Sequence, residues 1–287
     1  MGRIVLTSYI SHGAPTSLVE RTRIHDVYEN LGRILREGGV DTVVVSSPHY
    51  LSRTGFEIES RKDIPCIQDY YGFPDELYKY SYEAKNNPAL VSEILSLSKA
   101  EGLDVAESKS WGLDHGAWLP LYFMFPERDV KVVPVSITSS APEDHFKFGS
   151  LIKAAVAKTD VMAAVIGTGS PVHRLDLIRY GDYGADRLEP GDKFDEKFIE
   201  SLAAGEFDRM LAIRQEYSSL FRSAAPEGDL NPFYIALGAS DRDRFVGKTI
   251  LHEFMYYSVS LVAMILSADR KVRDSLDKMD LHGAEAK

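Results

Sequence analysis

The sequence predicts an α/β fold, in which a single domain contains a central, largely parallel or mixed β-sheet with helices on both faces. Short β-branched runs alternate along the chain with longer segments of helical periodicity, as expected of strands joined by crossover helices. Three of the runs lead into loops that contain a histidine. Ligands of α/β sheets collect beyond the carboxyl ends of the strands, so we expect a site at that edge of the sheet.

Composition narrows the class of protein. The chain has 287 residues, 44% of them hydrophobic and 26% charged, which is ordinary for a globular protein. We predict one catalytic domain at 1–270 and a charged C-terminal tail at 271–287. A net charge of −10 argues against nucleic acid as a partner. The longest apolar stretch, 255–266, is too short to span a membrane, and the N-terminus does not read as a signal peptide, so we expect a cytoplasmic protein without a membrane partner.

The first elements place two histidines together. A strand is predicted at 4–6, and it runs into turn residues around His12. A helix over 17–36 follows, and a second strand at 42–45 leads to His49. This order implies a right-handed crossover and parallel strands, so both histidines should emerge at one edge of the sheet. We predict that they bind one metal ion.

Two later segments concentrate aromatic residues. The loop at 68–82 contains five tyrosines and one phenylalanine, and it is either a lid packed against the core or a wall for a planar ring. The segment 110–121 contains both tryptophans of the chain, on either side of Asp114 and His115. A polar pair between large apolar groups is typical of a partly buried site with shifted pKa values.

The remaining elements follow from the same patterns. A capping box at Ser140 opens one of the helices. We predict strands at 56–59, 130–137 and 161–166, helices at 88–99, 140–158, 193–203, 207–222 and 249–266, a polar loop at 180–190 and a turn-rich link at 226–232.

Four of the eight histidines lie in loops flanked by Gly or Pro: His12, His49, His115 and His173. The others (His25, His145, His252 and His282) are on predicted helices or the tail, where a structural or solvated role is expected. One loop histidine is usually a hydrogen-bonding strut, but four favour a metal or acid/base site. Imidazole binds iron, zinc, copper and nickel, so the histidines do not select the ion. Two histidines plus a carboxylate are the ligands of non-haem Fe(II) oxygenases.

Five blocks between residues 4 and 240 resemble the class III extradiol ring-cleaving dioxygenases, and most closely their DOPA extradiol dioxygenase branch. The blocks are Ser11-His12-Gly13-Ala14-Pro15, Ser47-Pro48-His49-Tyr50, Tyr71-Gly72-Phe73-Pro74, Trp111-Gly112-Leu113-Asp114-His115-Gly116-Ala117-Trp118 and Ser170-Pro171-Val172-His173-Arg174-Leu175. The resemblance implies an oxidoreductase that uses Fe(II) and O₂ to open the ring of a catechol, with zinc possible in the purified protein. Family members are often homo-oligomers.

The resemblance also implies roles for individual residues. His12 and His49 are implied as metal ligands, His173 as a base that some relatives use as a ligand, and His115 as a substrate or oxygen contact. Tyr71, Phe73 and Trp118 are implied as substrate-binding residues.

The third ligand departs from the DOPA pattern. Where those relatives carry a histidine, this chain has Asp229, which is either a carboxylate ligand, as the protocatechuate branch uses glutamate, or a turn residue. The altered position supports an alternative function, a zinc- or copper-binding relative that acts as a binding or redox-interaction protein. A third alternative is a zinc hydrolase, which would use the same metal ligands. The sequence shows no glutamate near them that could act as its base.

Overall fold

A mixed β-sheet forms the centre of the molecule. The computed structural model describes residues 1–179 and 191–278, so the predicted loop at 180–190 and His282 lie outside the described residues. Within the described ranges the strands are β1 (Arg3–Ile10), β2 (Thr42–Leu51), β3 (Phe56–Glu59), β4 (Asp63–Ile64), β5 (Ala84–Lys85), β6 (Val105–Ser108), β7 (Lys131–Ile137), β8 (Met162–Thr168), β9 (Phe245–Met255) and β10 (Val259–Ala268).

Helices connect most of these strands. They are α1 (Arg23–Glu37), α2 (Pro88–Ala100), α3 (His115–Met124), α4 (Pro142–Ala157), α5 (Gly191–Ala203), α6 (Phe207–Glu216), α7 (Ser218–Ala224), α8 (Asn231–Ala239) and α9 (Arg270–Leu276). No helix of the described residues is both long and apolar enough to cross a membrane. Helix α9 begins one residue before the predicted tail, and the division of the chain at residue 270 stays a prediction.

The order of the strands explains why the histidine loops meet. The sheet runs β4-β5-β7-β2-β8-β1-β10-β9, and β3 pairs with β6 and β7 outside this path. Strands β1 and β2 both pair in parallel with β8, which lies between them. Their carboxyl ends therefore reach the same edge of the sheet. The predicted α/β class and the parallel direction of β1 and β2 are confirmed.

Alternating side chains of the central strands pack against helices on the two faces. Val43 and Val45 share a buried cluster with residues of α1 and α3. Val44, between them, belongs to a cluster that includes residues of α2 and α4. Because successive side chains of a strand point to opposite faces, helices cover the sheet on both sides. This double coverage explains why β2 reads as a continuous apolar run.

The prediction of a helix at 249–266 is wrong. This segment forms an antiparallel hairpin, with β9 pairing to β10 and β10 pairing to β1. Every residue of β10 is buried, so its sequence lacks the polar alternation of a half-exposed strand. The turn also could not be recognised from the sequence. Its residues Tyr256 and Tyr257 adopt positive φ angles of 54° and 73°, although such angles usually mark glycine or asparagine. Such backbone costs of order 1–3 kcal/mol per residue and is typical of functional sites.

Two predicted helices have different limits in the structure. The first one begins at Arg23 rather than at residue 17, because Pro15–Leu18 form a separate 3-10 turn. His25 stabilises the start of α1 by accepting the Thr22 backbone N–H at 2.8 Å, which confirms a structural role. The helix predicted at 207–222 is split into α6 and α7 at Tyr217.

Candidate metal centre and active site

Three side chains from distant parts of the chain converge at the carboxyl edge of the sheet. His12 follows the end of β1, His49 lies near the end of β2, and Glu227 precedes α8. The Nε2 atoms of His12 and His49 lie 3.0 and 3.2 Å from the same Glu227 Oε1 atom. One donor atom from each residue lies within 4.8 Å of the others. Two imidazoles and a carboxylate are a donor set suited to a divalent transition metal, so these residues fit such an ion.

Backbone geometry brings Glu227 to the histidines. Its side chain is buried, and its backbone N–H donates to the Ser170 carbonyl at 3.0 Å. The next residue, Gly228, has a φ of +56°, and a Cβ atom there would lie 2.8 Å from Pro48 Cβ. Glycine therefore permits close contact between this turn and the residue before His49.

Asp69 connects two histidines of the site. Its Oδ2 lies 2.6 Å from His49 Nδ1, and its Oδ1 lies 3.0 Å from His115 Nδ1. The backbone N–H of His115 also donates to Oδ1 at 2.8 Å. A carboxylate on Nδ1 fixes the orientation of an imidazole and leaves Nε2 available to a ligand. Asp69 was not predicted as a site residue, because a lone aspartate at the edge of an aromatic loop has no distinctive sequence pattern.

His115 occupies the first position of α3 and is buried. Asp114 caps this helix by accepting the Ala117 N–H, and it also accepts hydrogen bonds from Ser47 Oγ at 2.6 Å and Trp111 Nε1 at 2.9 Å. The polar pair predicted from the sequence thus has separate structural roles. Asp114 holds the start of the helix, whereas His115 faces the other histidines, with its ring centre 4.3 Å from that of His49.

His173 approaches the same carboxylate from another side. Its Nε2 lies 3.6 Å from Glu227 Oε1, farther than the nitrogens of His12 and His49. The backbone fixes its position, since its N–H donates to the Ala224 carbonyl at 3.0 Å and the residue forms an isolated antiparallel bridge with Val259. The β9–β10 hairpin therefore helps to position His173.

Charges in this cluster oppose the effect of burial. Burial lowers the pKa of His49, but hydrogen bonds to Asp69 and Glu227 outweigh it and raise the pKa to about 11. Burial alone would raise the pKa of the Asp69 and Glu227 carboxyls, yet the histidines that face them hold the pKa of each well below its ordinary value. Burial is the largest effect on His115 and His173, and it lowers the pKa of both. The two carboxylates are therefore anionic at neutral pH.

A cavity of about 400 Å³ opens onto these residues. Aromatic residues border it, and the Tyr70 ring meets the His115 ring edge-on at 5.4 Å. The described lining consists of His12, Gly13, Ala14, Pro15, Thr16, His49, Asp69, Tyr70, Tyr71, Phe73, His115, Ser170, His173, Leu175, Ile178, Glu227, Met255, Tyr256, Val259 and Leu261. The cavity is large enough for a small aromatic molecule beside His12, His49 and Glu227.

Comparison with known proteins identifies the family. Residues 6–266 match the model of the catalytic LigB subunit of aromatic ring-opening dioxygenase. The chain belongs to this family. The predicted resemblance to class III extradiol dioxygenases and the predicted oxidoreductase class are thereby confirmed. These matches do not favour the alternative of a non-enzymatic metal-binding relative.

Several proteins similar to this LigB-family chain are named as dioxygenases or as dioxygenase-like. It is 31% identical over 173 residues to 4,5-DOPA dioxygenase extradiol of Escherichia coli, an alignment that covers 60% of this chain and 61% of that protein. It is 27% identical over 271 residues to a 4,5-DOPA dioxygenase extradiol-like protein of Schizosaccharomyces pombe, covering 85% and 88%. It is 24% identical over 265 residues to 3,4-dihydroxyphenylacetate 2,3-dioxygenase of Escherichia coli, covering 86% and 94%.

A solved structure shares the fold. The uncharacterized protein JW3007 of Escherichia coli K12 superposes with a TM-score of 0.68 at 20% identity, covering 92% of this chain and 100% of that one. This likeness concerns the fold alone.

The structure brings Glu227, rather than Asp229, to the two histidines of this LigB-family chain. The Asp229 side chain is 57% exposed and lies 3.5 Å from Arg214, because a left-handed backbone, with φ of 55°, turns it away from the site. The sequence did contain an indication for Glu227 as the third ligand, since this glutamate lies in the predicted turn-rich link and the protocatechuate branch uses a glutamate as its third ligand. The spacing of the DOPA-type pattern pointed two residues too far along the chain.

The predicted substrate-binding residues separate into two groups. Tyr71 and Phe73 line the cavity. Trp118 is fully buried in the core, where its Nε1 donates to the Ile67 carbonyl at 3.0 Å. Trp118 therefore supports the backbone just before the aromatic loop and is not part of the described cavity lining.

Proposed function

We propose that this LigB-family protein is an Fe(II)-dependent extradiol dioxygenase that opens the ring of a catechol with O₂. The observation that carries the proposal is the convergence of His12, His49 and Glu227 at a cavity of about 400 Å³. Two histidines and one carboxylate are the donor set of non-haem Fe(II) oxygenases, which leave positions for a bidentate substrate and O₂. Two named relatives support the substrate class, since DOPA and 3,4-dihydroxyphenylacetate both carry the dihydroxyphenyl group.

In this proposal, each residue around the cavity has a distinct task. His12, His49 and Glu227 would hold the iron, which when bound supplies the redox chemistry that joins O₂ to the ring. His173 lies beside Glu227 without sharing the short contacts of the other two histidines, and we assign it the transfer of a proton from a substrate hydroxyl. His115, held by Asp69, would orient the substrate or oxygen by a hydrogen bond. Tyr71 and Phe73 would flank the ring.

Reconstitution tests this function directly. The protein is purified without oxygen, its metal content is measured, and it is loaded with Fe(II) or with Zn²⁺. We expect the iron form to consume O₂ in the presence of catechols and to form coloured ring-fission products. The zinc form is the matched control, because zinc does not change its oxidation state and should consume none. An iron form that consumes no O₂ with any of a broad panel of catechols would contradict the proposal.

Two further expectations stay predictions. Homo-oligomerisation, expected from the family resemblance, can be tested by sedimentation velocity. The cytoplasmic location can be tested by fractionation of cells that express the full chain.

A further inference from the structure

One wall of the cavity is built by the β9–β10 hairpin. Val259 and Leu261 lie two residues apart on β10, so their side chains point to the same face, and both line the cavity. Met255, at the end of β9, lies beside them across the turn and pairs with Val259. All three are buried and belong to the hydrophobic cluster on this side of the sheet. The core of the protein therefore continues into the cavity as an apolar surface.

A second apolar surface reaches the mouth of the cavity. Leu175 and Ile178 follow His173 in the chain, and Phe73 comes from the aromatic loop. Leu175 is 57% exposed and Tyr71 is 86% exposed, although both line the cavity. Large apolar side chains are normally buried, so two of them at the entrance of a cavity indicate a surface that an apolar group covers.

Charged groups of the described lining are already engaged. Its carboxylates are Asp69 and Glu227, and each contacts histidines of the site. The described lining contains no lysine or arginine. Near the hairpin, the hydroxyls of Thr16 and Tyr256 lie 3.0 Å apart and can satisfy each other. An anionic substituent on a bound ring would lose its hydration along these walls, and no lysine or arginine of the described lining would pair with it, which is strongly unfavourable.

We propose that the substrate is a catechol whose ring carries an uncharged, apolar substituent, which lies along Met255, Val259 and Leu261 and extends towards Leu175. This inference rests on the proposed function and names the substrate class of that site. It differs from the named relatives, whose substrates by name carry an amino-acid or an acetate group.

A matched pair of substrates tests the inference. The compounds 4-(3-methylbutyl)catechol and 3-(3,4-dihydroxyphenyl)propionate have side chains of the same shape, but only the second is charged. We expect the Fe(II)-loaded protein to favour the alkyl compound by at least about 100-fold in kcat/KM, because no lysine or arginine of the described lining can pair with the carboxylate. Lengthening the substituent from methyl to propyl should raise kcat/KM about fourfold per methylene. A preference for the propionate, or no gain with length, would overturn the inference.

Two leucines near the mouth provide a variant and its control. Leu175→Lys places a cation at the cavity entrance, and we expect it to shift the preference towards the propionate by about tenfold or more. Leu177→Lys adds the same charge two residues later, at a position that is 37% exposed and is not part of the described lining. It should leave the preference unchanged. Equal shifts in both variants would indicate a general charge effect and contradict the assigned position of the substituent.

Binding to the zinc form separates this inference from the proposed function. Calorimetry of the Zn²⁺-loaded protein measures the affinity of both compounds without turnover. Tighter binding of the alkyl compound supports the inference even if the iron form consumes no O₂, a result that would contradict only the function. Tighter binding of the propionate overturns the inference even if the iron form cleaves both compounds.

Discussion

Substitution of Glu227 provides the sharpest test of the metal centre. Glu227→Gln keeps the size of the side chain but replaces the charged oxygen that lies 3.0 and 3.2 Å from the two imidazole nitrogens. An amide oxygen is a weaker ligand for a transition metal and does not neutralise the charge of the ion. We therefore expect the variant to lose most of its affinity for divalent metal.

The structure sets a scale for this loss. Removing a partner that only orients a metal ligand typically costs 10- to 100-fold in affinity. Glu227 faces both imidazoles directly, so its loss should cost at least about 100-fold, or about 2.8 kcal/mol. Calorimetric titration with Zn²⁺ at fixed pH measures the affinity without oxidation. Thermal melting of the metal-free protein, followed by circular dichroism, verifies that the variant is folded.

The matched control lies two residues away. Asp229→Asn makes the same chemical change in the same turn, but its carboxylate is exposed and pairs with Arg214. Such surface pairs contribute about 0–1 kcal/mol to stability, and the metal affinity should stay unchanged. Loss of the metal from Asp229→Asn, with retention by a folded Glu227→Gln, would refute the assignment of Glu227 as a ligand.

Three further predictions concern histidines of the site, the aspartate that contacts two of them, and His145 on α4. His12→Ala should abolish metal retention, whereas His173→Ala should retain metal and lose turnover; metal analysis beside O₂ uptake distinguishes these outcomes, and metal loss from the second variant would make His173 a ligand. Asp69→Asn should lower Zn²⁺ affinity at pH 8.5 by about 10- to 100-fold, because His49 loses the carboxylate that orients it; unchanged affinity would show that the contact has no such role. Burial lowers the pKa of His145, whose neutral ring accepts the Thr138 N–H. The neutral ring therefore contributes its full stabilisation above the unfolded-state pKa of about 6.5, and this stabilisation is lost as the pH falls below that value. Urea unfolding between pH 7 and 5 should therefore show a weaker pH dependence for His145→Gln than for the wild type, and equal slopes would contradict this.

Much of the fold could be read from local patterns. The β-branched runs predict the strands β1, β2, β7 and β8, and helical spacing of apolar residues predicts the helices between them. The hairpin could not be read in this way, because β10 is buried on both faces and its turn contains two tyrosines with left-handed backbone. Its true structure depends on pairing with β1, a contact between the two ends of the chain that local sequence does not contain.

The candidate site shows the same division. His12 and His49 could be predicted because each lies close to the end of a parallel strand, which fixes its position at the sheet edge. Glu227 and Asp69 come from loops, and a loop residue reaches the site only through tertiary packing. Gly228 against Pro48 is one such contact. Sequence spacing could therefore propose a carboxylate in the turn before α8, but it could not select Glu227, which the structure brings to the two histidines.

The wide separation of the proposed metal ligands would couple metal binding to the integrity of the whole chain. His12 and Glu227 are 215 positions apart, so a bound cation would act as a cross-link between the first strand and a late turn. A ligand that binds only the folded protein stabilises it by about 4.1 kcal/mol when present at 1,000 times its Kd. The melting temperature would then rise with metal concentration, and chelators would make the protein more susceptible to proteolysis at sites far from the cavity.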